Sequence, residues 1–431
     1  MGMDTPRKGV VVLVGIGVLV GSLTVARFRD ESDEAAAAAE VEVLQMATAE
    51  QVDAFGRELM EQLRQDTVPQ GVIDWAVLAG RTLPEGASAE ARRGFIEGVE
   101  QGASENDLLL QLRQRMMVGD RMNYRGVAQR GEHPVARFRL IMATGGVNFF
   151  DFLLAIRDGQ PRIVDFFQLS GGRWQSEGVA DMFRGAFIEG PGALQRAMGQ
   201  ENPLIEHAVD IGNLGQLIQA QNVEGALSLY AGLPEAVRHH RVVFGLAIDA
   251  TTLLPLEDPR RLTLLDEFEE TFPNDPAASA RLLDAHFERE QWDAVHADLD
   301  ALNGAFPDSY WLTLRARVLL LQGRESDAKA EAARAVELEP GLLETHDAML
   351  IVALATGDVE VASTAARILR DEHGVRFERI ATNPAYAGVM DLPSMQPRPQ
   401  APPEPPASEL PSDPQPSPTT TPTPSPEEAS P

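Results

Sequence analysis

Residues 310–341 read YWLTLRARVLLLQGRESDAKAEAARAVELEPG, and this stretch decides the fold of the second half of the chain. Apolar residues recur at helical spacing on both sides of Gly323, and Pro340 ends the second run because proline cannot continue a helix. The small side chains of Ala316 and Ala328 allow two helices to approach each other closely. The stretch therefore predicts a pair of packed helices joined by a tight turn.

The features of this pair recur along the chain at intervals of 34 residues, which we call the 34-residue grid. Alanine occupies four of five successive grid positions, and Arg260 occupies the other. The repeated residues are Ala226, Ala294, Ala328 and Ala362, then Phe272-Pro273 and Phe306-Pro307, and finally Gly323 and Gly357. A 34-residue period built of helix pairs is typical of tetratricopeptide repeats. Residues 204–375 resemble this family, most closely in residues 310–341. The resemblance implies stacked helix pairs with a concave groove that binds peptides or protein partners.

Four polar side chains on the predicted first helices are candidates for lining such a groove, namely His286, Tyr310, Arg317 and Asp347. This role requires the four side chains to be exposed. The alternative is that they belong to ordinary solvated helix surface. The repeat region as a whole is predicted to occupy residues 204–391.

Residues 48–200 precede the repeats and predict an α+β domain, which opens with a capping box formed by Thr48 and Gln51. Helices are predicted at about 48–65, 69–80, 88–101, 105–117 and 177–188, and strands at 122–130, 135–143, 147–157 and 161–169. Short turns join the strands, which predicts an antiparallel meander. This order of elements resembles the nuclear-transport-factor-2-like fold. The resemblance implies a cone-shaped domain with an apolar pocket.

The predicted strands alternate in polarity, so the two faces of the sheet differ. One face is apolar and suits a covering of helices. The other face places Asp151 and Asp165 among apolar neighbours, with Arg137 and Arg139 on an adjacent strand. Isolated carboxylates on a buried face are costly unless they are paired. These four residues therefore form either a polar site inside a pocket or a ladder of cross-strand ion pairs.

Residues 9–26 read GVVVLVGIGVLVGSLTVA, an uncharged run near the minimum length for crossing a bilayer. Arg7 and Lys8 precede this run and favour insertion with the N-terminus inside. We expect a single-pass anchor at 1–29 in a bacterial inner membrane, with the soluble part outside the cytoplasm. An acidic, alanine-rich linker is expected at 30–47. The alternative is a cleaved signal peptide.

The chain ends in a proline-rich segment, 392–431, which lacks apolar periodicity and is predicted to be disordered. The fold class expected from the sequence is therefore multi-domain. It comprises a transmembrane helix, an α+β domain with an antiparallel meander, an all-α solenoid of repeats and a disordered tail.

Composition narrows the function. The formal net charge of −28 argues against nucleic-acid partners, because a phosphate backbone would be repelled. The absence of cysteine removes thiolate catalysis and cysteine-ligated metals, and the histidines show no metal-ligand spacing. No catalytic motif is found and no cofactor is expected. The chain is predicted to be a membrane-tethered scaffold that binds a protein or peptide through its repeats. The alternative is a small-ligand sensor or an enzyme that uses the polar site of the α+β domain.

Overall fold

The structure is a computed structural model that describes most of the chain between residues 44 and 396. The described ranges are 44–65, 67–69, 71–83, 89–105, 108–143, 145–183, 203–255 and 257–396. An antiparallel sheet with its covering helices comes first, and a helical region follows. Both parts were predicted from the sequence, and this coarse division is confirmed.

The membrane component of the predicted fold class is wrong for the part of the chain that the structure describes. No helix there is both long and apolar enough to cross a bilayer. The predicted anchor at 1–29, including residues 9–26, lies outside the described residues, as does nearly all of the linker at 30–47.

Helices surround one face of a six-stranded sheet in the first part. The helices are α1 (Ala49–Arg64), α2 (Trp75–Thr82), α3 (Ala89–Glu105), α4 (Leu108–Met117) and α5 (Gln175–Phe183). The strands are β1 (Gln45–Met46), β2 (Arg121–Arg130), β3 (His133–Ile141), β4 (Val147–Arg157), β5 (Gln160–Gln168) and β6 (Arg173–Trp174). The strand order is β2-β3-β4-β5-β6, and β1 pairs with β4. All of these pairings are antiparallel, as expected for a meander.

The apolar face of the sheet carries the core of the first part. Helix α1 begins at the predicted capping box, in which the Thr48 and Gln51 side chains each bond to the other residue's backbone N–H. Its stripe of apolar residues packs on the sheet together with residues of α2 and α4. Opposed aromatic residues such as Phe138 and Phe150 lie in adjacent strands and are fully buried.

Twelve helices follow in the described ranges from residue 203 onward, and the longer ones are arranged as successive packed pairs. They are α6 (Pro203–Glu206), α7 (Ala208–Gln219), α8 (Val223–Gly232), α9 (Glu235–Arg238), α10 (Arg241–Thr251), α11 (Pro259–Thr271), α12 (Pro276–Glu288), α13 (Trp292–Ala305), α14 (Ser309–Leu321), α15 (Glu325–Leu338), α16 (Leu343–Ala355) and α17 (Val359–Asp371). Four short 3-10 turns then cover Phe377–Arg379, Pro384–Tyr386, Val389–Asp391 and Pro393–Met395.

The residues of the 34-residue grid explain how these pairs are built. Ala226, Ala328 and Ala362 are at most 1% exposed, so no larger side chain would fit at these contacts between helices. Gly323 and Gly357 follow the first helices of two successive pairs with φ angles of +73° and +71°. This left-handed conformation favours glycine because it lacks a Cβ atom. Three of the four repeated alanines and both glycines thus have repeated structural roles, whereas Ala294 is only partly buried.

The helical region covers part of the second face of the sheet, around Phe149, so the two parts form one continuous body. Phe149 of β4 stacks on Phe306, with ring centroids 5.1 Å apart, and also contacts Trp311 of α14. At Gly172, whose φ angle is +69°, a Cβ atom would lie 2.7 Å from the Cβ of Ala277. We call this contact between the sheet and the helical region the seam. The sequence predicted two consecutive domains and no such contact.

The packed part of the chain extends beyond residue 391, where the disordered tail was predicted to begin. Leu392 is 5% exposed and packs with Phe377 and Val389 against α17. The carbonyl oxygen of Ser394 accepts a hydrogen bond of 2.5 Å from Arg370. Leu392 is an apolar residue adjacent to Pro393, so composition alone placed it in the tail. Residues 397–431 lie outside the described part of the chain.

Candidate functional site

Arg317 and Asp347, two of the predicted groove residues, form an ion pair between the first helices of successive pairs. Arg317 lies on α14 and its Nη2 donates to Asp347 Oδ2 of α16 at 2.6 Å. The hydroxyl of Tyr386, on a 3-10 turn beyond α17, donates to the other carboxylate oxygen at 2.7 Å. Burial and the neighbouring Asp347 carboxylate both raise the pKa of Tyr386. We call these three residues the polar stripe.

The polar stripe is partly open to solvent, and several N–H donors of Arg317 make no hydrogen bond within the described residues. The Arg317 side chain is 34% exposed and that of Asp347 is 16% exposed. A guanidinium group carries five N–H donors, and Arg317 hydrogen-bonds within the described residues only through Nη2. Its Nε has no acceptor. Arg317 can therefore donate a hydrogen bond to a further carbonyl or carboxylate oxygen.

Tyr310, the third predicted groove residue, lies near the stripe but is 5% exposed, so its predicted exposure is wrong. It occupies the first turn of α14, where the helix meets the sheet at the seam. Burial raises the pKa of Tyr310, while the positive charge of Arg317 opposes that rise. Tyr310 thus belongs to the packed residues of the seam.

His286, the fourth predicted groove residue, is 3% exposed and lies elsewhere, so its groove assignment is also wrong. Its Nδ1 is 2.7 Å from Asp298 of α13, and its Nε2 is 3.6 Å from Glu269 of α11. Burial lowers the pKa of His286, but its two carboxylate neighbours raise it by more. Burial also raises the pKa of Asp298, which works against the ion pair. The two flanking carboxylates favour the charged imidazole, and His286 ties three helices together.

The four residues of the predicted polar site do not enclose a pocket. Arg137 and Asp151 are opposed in the register of β3 and β4 and form a bidentate pair, with distances of 2.7 and 2.8 Å. This pair is the expected cross-strand ion pair. Arg130 of β2 also donates to Asp151 Oδ2 at 2.7 Å.

Arg139 instead crosses the seam, and its side chain is fully buried. It donates to Asp308 Oδ1 at 2.6 Å and to both carboxylate oxygens of Glu339 at 2.8 and 2.9 Å. Arg125 of β2 reaches the same two carboxylates, at 2.9 and 2.5 Å. Burial raises the pKa of Glu339, but hydrogen bonds from Arg139 and Ser309 together with the charge of Arg125 lower it by more. The seam is therefore held by an arginine–carboxylate network.

Asp165 is separate from both arginines that were predicted to pair with it. It accepts hydrogen bonds from Arg81 Nε at 3.2 Å and from the backbone nitrogens of Phe166 and Ser176 at 2.9 and 3.1 Å. Burial raises the pKa of Asp165, and the bonds from Ser176 act in the opposite direction. Asp165 joins β5 to α2 and α5 and has a structural role.

A surface depression of about 260 Å³ lies beside the β4–β5 turn, away from the residues predicted as sites. Its walls include Trp75 and the ion pair between Arg157 and Asp74, whose atoms are 3.3 Å apart. No group of three or more histidine, aspartate or glutamate side chains in the described ranges is arranged to hold a metal ion.

The partners that define these clusters were not predicted from the sequence: Arg125, Arg130, Asp308, Glu339 and Tyr386. Asp308 had a detectable local signal, because it caps α14 by accepting from the backbone nitrogen of Tyr310. The others make contacts between residues far apart in the chain, and periodicity within one helix or strand carries no information about such contacts.

No protein-family model, curated protein or solved structure significantly matches this chain.

Proposed function

We propose that this protein is a protein-binding scaffold whose helix pairs are tetratricopeptide-like repeats, and that the polar stripe contacts a segment of the partner. The observation that carries the proposal is Arg317, a partly exposed arginine with unused donors beside Asp347. Most residues of α12 and α14, the first helices of two successive pairs, are buried. Eight of the 13 residues of α12 and nine of the 13 residues of α14 are buried. The stripe is where these helices offer polar groups to a partner.

The chemistry of the stripe indicates what the partner segment must offer. Arg317 requires an oxygen acceptor, and an extended segment presents backbone carbonyls in regular order. Asp347 accepts from Tyr386, so a hydrogen-bond donor of the partner can take the place of the tyrosine hydroxyl. The chain carries a net charge of −28 and attracts basic proteins over long range. We therefore propose a partner segment rich in lysine or arginine.

A site-specific photo-crosslinker tests this surface. One variant carries the crosslinking residue in place of Arg317, and a matched control carries it in place of Arg334, an exposed arginine on α15. We expect a discrete adduct with a basic protein from position 317 and none from position 334. Arg317→Gln should also weaken co-purification of that protein, whereas Arg334→Gln should not. Identical adducts at both positions would contradict the proposal.

A further inference from the structure

Arg130 and Arg137 share a single carboxylate, so their cluster contains one positive charge too many. Arg137 holds both oxygens of Asp151, and Arg130 contacts the Oδ2 of the same side chain. Asp151 is fully buried, whereas the side chains of Arg130 and Arg137 are 22% and 10% exposed. Within the described residues, no other carboxylate pairs with either arginine. Buried charges are normally paired, so this excess charge is unusual.

Aromatic rings form the walls of this cluster and hold the guanidinium groups in place. The Cζ atom of Arg130 lies 3.7 Å from the ring centroid of Phe167 and 5.1 Å from that of Phe306. Trp174 meets Phe167 edge to face at 6.0 Å. Stacking on aromatic faces favours arginine and fixes the plane of its guanidinium. The excess charge is therefore presented in a defined orientation beside apolar surface.

Arg130 retains hydrogen-bonding capacity for a second anion. Its Nε donates a hydrogen bond to Asp151 Oδ2. Its Nη2 also lies 2.7 Å from this oxygen, but the geometry is that of an ion pair and not of a hydrogen bond. Its Nη1 has no acceptor among the described residues. We propose that Arg130 binds a carboxylate group carried by an apolar or aromatic acid, at a site separate from the polar stripe. The single excess charge matches a monoanion, and the rings of Phe167 and Trp174 suit an apolar body next to it.

The test uses the full chain with 15N-labelled arginine side chains, titrated with phenylacetate, acetate and the neutral analogue phenylacetamide. We expect a saturable shift of the Arg130 Nε–Hε resonance with phenylacetate, a weaker response with acetate and none with phenylacetamide. Arg57 provides the internal control, because it pairs one-to-one with Asp53 on exposed surface. Equal responses at Arg57 and Arg130, or no response at Arg130, would overturn the proposal. An equal response to phenylacetamide would show that the rings alone bind the probe.

Two variants and a peptide pair complete the test. Arg130→Gln leaves Asp151 its bidentate bond to Arg137, so we expect a folded chain that binds phenylacetate about tenfold more weakly. Arg130→Lys retains the charge but loses the planar fork, so partial binding is expected. Undiminished phenylacetate binding by a folded Arg130→Gln chain would refute the assignment. A blocked peptide with a single glutamate, compared with its glutamine counterpart, distinguishes a protein carboxylate from a free small acid.

Discussion

Replacing Arg139 by methionine tests whether the seam joins the two parts of the chain. Arg139 is fully buried and donates three charge-assisted hydrogen bonds, at 2.6, 2.8 and 2.9 Å, to Asp308 and Glu339. Removing one partner of a buried ion pair typically costs ~3–5 kcal/mol, because the remaining charge is left uncompensated. Arg125 still contacts both carboxylates in the variant. We therefore expect a loss near the lower bound, about 3 kcal/mol, in a urea titration.

The matched control is Arg57→Met, which removes an exposed pair with Asp53 and should cost less than ~1 kcal/mol. The depressed pKa of Glu339 adds a pH dependence to the comparison. Its contribution to stability is present above its unfolded pKa, ~4.3, and is lost as the pH falls through its lower folded pKa. The difference between wild type and Arg139→Met should therefore shrink on acidification. Equal costs for the two variants at neutral pH would refute the network as the tie across the seam.

Three further outcomes follow from the packing. Ala328→Leu should destabilise the chain by ~1–3 kcal/mol, because this fully buried residue has no room for added volume. The control is Lys329→Leu at the next position, where the side chain is 44% exposed, and it should cost less than ~1 kcal/mol. Equal denaturant midpoints for the two variants would contradict the placement of Ala328 at a contact between helices. The raised pKa of His286 means that its ion pairs stabilise the fold fully below its unfolded pKa, ~6.5, and lose this effect as the pH rises through the folded value. The difference in stability between wild type and His286→Gln should therefore become smaller as the pH rises above ~6.5. Melting temperatures of both proteins, measured across this pH range, test the expectation. Leu392→Ala should lower the free energy of unfolding by about 2 kcal/mol, whereas truncation after Gln396 should leave the melting temperature unchanged. A larger loss from the truncation than from Leu392→Ala, measured by calorimetry, would contradict the packing of this segment.

Local patterns predicted the elements well because their causes lie within a few residues. The capping box at Thr48 and Gln51 starts α1 as expected. The alternation around Phe150 and Phe152 correctly identified the apolar face of the sheet. The repeated Gly323 and Gly357 end helices with the positive φ angles that such turns require.

Contacts between distant residues account for the parts of the site that were predicted wrongly. Arg139 was grouped with Asp151 and Asp165 because all three belong to one sheet face, but its partners lie in the helical region. Tyr310 and His286 were assigned to exposed groove surface because polar side chains on helices usually face solvent. One is covered by the sheet and the other is paired with carboxylates of two other helices. Neither covering element is evident from the sequence around the residue it covers.

The seam also affects how the chain matures during synthesis. Arg139 and its partner Glu339 are 200 positions apart in the sequence. At typical elongation rates, the ribosome needs roughly 10–40 s to synthesise the chain from Arg139 to Glu339. Until then Arg139 lacks its carboxylates and Phe149 lacks the rings that cover it. A chain that ends between the sheet and residue 339 therefore lacks the Glu339 carboxylate that pairs with Arg139 in the complete fold.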